Sequence, residues 1–411
     1  TLTNTGIAYN NANVTSATTV TVSGLSISAV AGTNSSAATD YTLDSTSKTV
    51  SATITAKALT IGTATAANKV YDTTTTATIS SVGTLSGFVG SETVTAAASS
   101  GTFADKNVGT GKTVTVAYTL SNGTNGGVAS NYSLANTTTT ADITAKALTV
   151  TGTTATGKTY DGTTTATVVT TNSAITGGAS TSSDNKYYSS DTVTLVKGSA
   201  AGSYADKNVG TNKAVTVTGF TLSGTDADNY TVTDASSATA TITAKTVTLS
   251  ASKVYDGTTS LTGAVTIATG ISGEALTYTG AVANNAHVAT GSKYISAITL
   301  ANGTGGVASN YALPTLNNSN APVTITAATL TPTITNSSVT KVYDGSTSSS
   351  ITPTYSFSGL VSGDTGATLT NTGIAYNNAN VTSATTVTVS GLSISAVAGT
   401  NSSAATDYTL D

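Results

Sequence analysis

Apolar residues stand at every second position along much of the chain. Val114, Val116, Tyr118 and Leu120 alternate with Thr and Ala, and Ile242 and Ala244 alternate with Thr. Successive side chains of a strand point to opposite faces, so this period of two predicts half-buried β-strands. No stretch keeps a helical period. At four places the alternation slips by one residue. These are Ile54-Thr55-Ala56-Lys57-Ala58-Leu59, Ile143-Thr144-Ala145-Lys146-Ala147-Leu148, Ile242-Thr243-Ala244-Lys245-Thr246-Val247 and Ile325-Thr326-Ala327-Ala328-Thr329-Leu330. A one-residue slip exchanges the apolar face for the polar one. One strand is expected to end at each slip and the next to begin, with almost no linker. Cutting there gives residues 1–57 as the C-terminal part of a module, complete modules at 58–146, 147–245 and 246–328, and a truncated module at 329–411.

Within the modules, short motifs recur in fixed order. The first is Lys253-Val254-Tyr255-Asp256-Gly257-Thr258-Thr259, with copies at Lys341-Val342-Tyr343-Asp344-Gly345, Lys158-Thr159-Tyr160-Asp161-Gly162 and Lys69-Val70-Tyr71-Asp72-Thr73. Its tyrosines lie 89, 95 and 88 residues apart. That period is longer than most solenoid repeats and predicts a row of small domains. Each is about the size of an immunoglobulin-like sandwich. Next comes Ala104-Asp105-Lys106-Asn107-Val108-Gly109-Thr110, echoed at Ala205 to Thr211. Asn-Tyr follows at Tyr132, Tyr230 and Tyr311, with Asp-Tyr at Tyr408 and Tyr41. Length varies in the middle of the modules, most around Ser182 to Asp191, as expected of exposed loops. Gly219 interrupts a strand pattern and reads as a bulge. Residues 1–44 are identical to 368–411, and residues 45–57 would supply what the last module lacks. The chain reads as a window on a longer tandem array.

Composition narrows the function classes. Charged residues make up 8% of the chain and the formal net charge is -4, whereas disorder usually comes with high net charge. No basic stripe exists for nucleic acid, and no apolar run approaches the roughly 20 residues of a membrane span. With no Cys there is no disulfide. His287 is the only histidine, which excludes a serine triad and a multi-histidine metal site. No paired carboxylates mark a hydrolytic cleft. The expectation is a protein without catalytic residues, cofactor or metal.

Together, the Lys-x-Tyr-Asp-Gly-Thr-Thr, Ala-Asp-Lys-Asn-Val-Gly-Thr, Asn-Tyr and Ile-Thr-Ala-Lys motifs resemble the YDG-domain repeats of large bacterial surface proteins such as filamentous-haemagglutinin-like adhesins. The resemblance spans the whole chain. It implies an extracellular, exported adhesin or surface fibre in which such modules form the stalk. Departures are Thr73 in place of Gly, Asn285-Ala286-His287-Val288-Ala289-Thr290 in the third copy, and Ala328 in place of the junction Lys.

Each motif has a structural reading and a sharper one. Tyr71-Asp72, Tyr160-Asp161-Gly162, Tyr255-Asp256-Gly257 and Tyr343-Asp344-Gly345 read as turns. In them Asp binds nearby backbone, Gly takes positive φ, and the Tyr ring fills a core with its hydroxyl at the rim. Thr73 implies that the first copy needs no positive φ. The sharper alternative is a glycan-stacking platform. Tyr132, Tyr230, Tyr311 and Tyr408 read as tyrosine corners. Junction lysines Lys57, Lys146 and Lys245 read as solvated guards of a strand edge. A Lys–Asn crosslink is the alternative, and needs a neutral Lys beside a protonated carboxyl. Asp184 with Asp191, and Asp226 with Asp228, offer too few oxygens for calcium. The sequence therefore predicts an all-β rod of tandem immunoglobulin-like β-sandwich modules, working as a stalk or fibre segment in adhesion or in matrix and biofilm formation. Its expected partners are neighbouring modules, other copies of the chain and host or matrix glycans. Alternative readings are a fibre of separate subunits completed by strand exchange and a glycan-binding repeat.

Overall fold

The structure, a computed structural model, describes residues 1–233 and 238–411. Among them the regular structure is β-strand, apart from short 3-10 turns. These turns fall at Ala38–Asp40, Ala129–Asn131, Ala227–Asn229, Ala308–Asn310 and Ala405–Asp407. Each ends on the Asn or Asp that precedes the tyrosine of the Asn-Tyr motif.

Residues 58–146 show how one repeat is built. Lys57–Ile61 lies between two strands, antiparallel to Leu85–Ser86 and parallel to Tyr132–Leu134. A second sheet runs in the order Val94–Phe103, Gly109–Asn122, Thr137–Thr144, Lys69–Val70. Its long hairpin shifts register between Ala98 and Ser100. Val114 and Val116 are buried while Thr113 and Thr115 face water, as the alternation requires. The last strand carries Ile143 opposite Lys69, in parallel. The same pairing recurs as Lys158 with Ile242 and Lys253 with Ile325.

At three junctions strands meet with one residue between them, whereas five residues separate Ser47–Ser51 from Lys57–Ile61 at the first. Thr137–Thr144 gives way to Lys146–Thr149, and Val323–Thr326 to Ala328–Ile334. Ala141 and Ile143 are buried before the first of these, and Lys146 and Leu148 after it. The slip in the pattern is therefore a real exchange of faces. Lys57, Lys146, Lys245 and Ala328 each stand opposite the tyrosine of the Asn-Tyr motif that follows, in parallel register. Gly219, with φ +88, separates Gly210–Thr218 from Thr221–Ser223. A Cβ there would lie 2.2 Å from the Ser199 carbonyl oxygen, so the break in pattern is a backbone kink that only glycine fits.

The chain forms two compact units. One holds Thr1–Thr153, Val169–Ala200 and Val217–Ala235; the other holds Thr154–Val168, Ala201–Thr216 and Ser236–Asp411. The division passes through the middle of residues 147–245 and spares every junction. The packing explains why. One core cluster joins Tyr71, Phe103, Val114, Val116, Ala141 and Ile143 to Leu148, Val193 and Tyr230 of the next repeat. A smaller one, Leu59, Val94 and Tyr132, fills the opposite half of residues 58–146. Apolar burial is continuous across the junction.

Leu148 is fully buried in the shared cluster. Leu148→Ala should cost about 2–5 kcal/mol of unfolding free energy in urea. Thr115→Ala, on an exposed face of the same unit, should stay within about 1 kcal/mol.

Candidate functional site: the joint between repeats

The Lys-x-Tyr-Asp turn is a rigid local device. Asp72 Oδ1 accepts the Thr74 N–H and hydroxyl, each at 2.9 Å, and Lys69 Nζ at 2.7 Å. Lys69 also donates to the Thr74 carbonyl at 2.7 Å. Asp161, Asp256 and Asp344 repeat this pattern with Lys158, Lys253 and Lys341. Burial raises the pKa of Asp72, Asp161 and Asp256, yet the Lys and the turn donors outweigh it and hold the carboxyls below the usual range. Asp344, with Lys341 as its strongest influence, is lowered to about 2. Gly162, Gly257 and Gly345 take φ of +78, +76 and +75. Thr73 takes φ +69. The expectation that this copy avoids positive φ is corrected: the side-chain bonds of Asp72 impose the left-handed turn even on a β-branched residue.

The turn aims its tyrosine out of its own repeat. The Tyr71 N–H is fixed to the Thr144 carbonyl at 2.9 Å, at the end of the last strand. The ring then enters the next repeat, where its hydroxyl donates to Asp191 Oδ2 at 2.9 Å. Tyr230 donates to the same oxygen at 2.6 Å, and the two rings meet edge to face with centroids 5.5 Å apart. The next joint repeats this. Tyr160 donates to Glu274 at 2.7 Å and Tyr311 at 2.7 Å, with ring centroids 5.4 Å apart. At the following joint Ser403 intervenes: Tyr255 and Ser403 share a 2.5 Å hydrogen bond, and Ser403 and Tyr408 both donate to Asp364 Oδ2 at 2.6 Å. Tyr132 pairs likewise with Glu92 at 2.6 Å. The predicted Tyr hydroxyl at a module rim is thus a Tyr hydroxyl buried at a joint.

Electrostatics follow from this convergence. Burial, then the hydrogen-bonded carboxylate, raises the pKa of Tyr71, Tyr230 and Tyr311. Glu274 is raised by burial, but Lys207, Tyr311 and Tyr160 outweigh that and leave it low. Lys207 Nζ lies 2.5 Å from Glu274 Oε1 and 5.9 Å from the Tyr160 ring centroid. Lys106 stands in the same place, 3.7 Å from Asp191 and 5.9 Å from the Tyr71 ring centroid.

Asparagines form a second latch. The Val108 N–H donates to Asn229 Oδ1 at 2.9 Å, and Asn229 Nδ2 donates to Asn107 Oδ1 at 3.2 Å. Val209, Asn208 and Asn310 repeat it at 2.9 and 3.0 Å, and Val14, Asn13 and Asn131 at 2.9 and 2.8 Å. The tyrosine-corner reading is therefore revised. The Tyr132 and Tyr230 hydroxyls accept backbone N–H groups 43 and 42 residues upstream, whereas a tyrosine corner reaches only a few.

Other predicted residues find plainer roles. Tyr343 is 60% exposed and Val381 76%; the residues that cover their counterparts at other joints come from a following repeat. Lys146 is fully buried rather than solvated, 2.6 Å from the Thr181 carbonyl and 2.8 Å from Asp184. Asp184 is held well below the carboxylate range, first by Lys146, so this is an ion pair and not the neutral pair that a crosslink needs. Asp191, expected on an exposed loop, has no exposed side-chain surface. Among the described residues no cluster of metal-ligating side chains occurs.

Residues 55–141, 144–240, 237–319 and 326–411 each match the YDG domain. The chain belongs to the YDG-domain family. No curated protein and no solved structure shows significant similarity to it. In the YDG repeats the shared carboxylate was the feature hardest to find from sequence. Two signals existed: each acid follows two small residues, as in Gly90-Ser91-Glu92 and Ser272-Gly273-Glu274, and Glu92 and Glu274 are the only glutamates in the chain, 40 and 37 residues before the tyrosines they accept.

Glu274→Gln should cost about 1–3 kcal/mol, because it leaves Lys207 unpaired and one tyrosine without its acceptor. The folded carboxyl titrates below its ordinary value of 4.5. Its stabilisation is present above pH 4.5 and is lost as pH falls through the lower folded value. An acid titration followed by circular dichroism should show a shallower acid limb in Glu274→Gln than in the parent.

Proposed function

We propose that this chain is a segment of the non-catalytic stalk or fibre of an exported bacterial surface adhesin, in which each YDG repeat docks rigidly on the next. The observation that carries this reading is the joint. At the joint after residues 58–146 one residue separates the strands, apolar packing is continuous through it, and two tyrosines from different repeats share one carboxylate. A flexible connection between domains has few contacts crossing it; this one is crossed by apolar packing and by tyrosine–carboxylate and asparagine hydrogen bonds. Such joints resist bending and pulling, which is the work of a stalk. The titratable groups of the joint are engaged in holding repeats together, which favours mechanical work over chemistry.

Extracellular placement rests on the resemblance to surface-protein repeats and fits a chain free of oxidisable Cys, Met and Trp. Neighbouring repeats are the partners that the geometry favours. Glycan stacking on the Tyr-Asp-Gly tyrosines is disfavoured at internal joints, because Tyr71, Tyr160 and Tyr255 are buried.

A compact globule of this length has a radius of gyration of about 22 Å. Small-angle scattering from the 411-residue chain should give a value well above that, with a constant cross-section. A value near that of the globule would contradict the stalk.

A further inference from the structure

One joint departs from the others in a coordinated way. Where two joints carry Lys106-Asn107 and Lys207-Asn208, the joint after residues 246–328 carries Ala286-His287. Where the facing repeats carry Asn229 and Asn310, residues 329–411 carry Asp407. These changes lie on opposite sides of the joint and meet. His287 Nδ1 is 2.7 Å from Asp407 Oδ2, and the Val288 N–H donates to Asp407 Oδ1 at 2.6 Å. Asp407 is fully buried. The His287 ring stacks on Tyr255 at 6.1 Å and 27°, on the ring that corresponds to those covered by Lys106 and Lys207 in the other joints. One imidazole thus does two tasks. It covers the tyrosine as the lysine does, and it bonds the facing repeat as the asparagine does.

We infer that the His287–Asp407 pair is a second type of latch, which makes the distal face of residues 246–328 selective for an Asp-bearing repeat and so writes the order of repeats into their joints. The physical reason is the cost of mismatch. Asp407 set against an Asn-bearing face is a buried carboxylate with no cationic or imidazole partner, which is costly. An Asn-bearing repeat set against His287 aims its amide N–H groups at the ring nitrogen, which accepts only in the tautomer protonated at Nε2. In a tandem array, neighbours similar in sequence can pair out of order while folding. Two latch types that reject each other oppose this, since specificity comes from penalties on the wrong partner as well as contacts with the right one. The inference stands on the joint geometry and holds whether or not the array serves as a stalk.

The test is native-state hydrogen exchange at the Val288 amide of the 411-residue chain, with Val108 and Val209 as internal controls. His287→Asn and Asp407→Asn should each speed exchange at Val288 about tenfold or more. The double variant restores the Asn–Asn pair of the other joints and should return to within about threefold of the parent. Single variants without effect, or a double variant whose effect is the product of the two, would overturn the proposal. Transplantation covers the case in which a single variant fails to fold. Asn310→Asp alone should deprotect Val209, and adding Asn208→His should restore it; no rescue there would equally overturn the pairing.

Discussion

Everything in this chain depends on a carboxylate that belongs to one repeat and serves two. Asp191 and Glu274 each accept hydroxyls from a tyrosine of their own repeat and from a tyrosine of the one before. Hydrogen bonds to an ionised acceptor are roughly twice as strong as neutral ones. They are also directional, so two of them on one carboxylate fix where the incoming ring must sit. Edge-to-face contact of the rings then adds its own geometric preference. The Lys-x-Tyr-Asp turn exists, in this light, to hold one tyrosine in position for a partner that the repeat does not contain.

A small repeat of this composition has little with which to build a private core. Aromatic residues are 5% of the chain, and many of the buried apolar residues are Ala and Val. Small domains bury a smaller share of their surface and are marginal alone. Sharing the cluster across the junction enlarges the core without enlarging the repeat. The unit of sequence and the unit of packing are consequently out of phase by half a repeat, and the compact units divide inside residues 147–245. Solenoids distribute stability between repeats and interfaces in a similar way, but here the period is near 90 residues.

What could be read from sequence was local. Alternation gave the strands, the one-residue slip at Ile143 to Lys146 gave the junction, and Asp-Gly gave the turn with its positive φ. All rest on interactions within a few residues. What escaped was the set of partners one repeat away. Tyr160 finds Glu274 at a separation of 114 residues, and Tyr255 finds Ser403 at 148. The acid sits in a loose pattern of its own, Gly90-Ser91-Glu92-Thr93, Ser189-Ser190-Asp191-Thr192, Ser272-Gly273-Glu274-Ala275 and Ser362-Gly363-Asp364-Thr365, but nothing local in that pattern names a tyrosine of another repeat. Thr73 takes positive φ against its residue preference because the Asp72 bonds to Thr74 override that preference. In sequence His287 is only a departure from the motif, because Asp407, which gives it meaning, lies 120 residues on.

The cooperative unit of this chain should straddle the junction. Native-state hydrogen exchange under rising denaturant, mapped along the whole chain, addresses it directly, since residues that open together lose protection in one step. Phe103, Val114 and Ile143 should open in the same step as Leu148, Val193 and Tyr230, and in a different step from Leu59 and Val94. A step boundary at Ala145, with residues 58–144 opening as one body and residues from 146 onward as another, would contradict it.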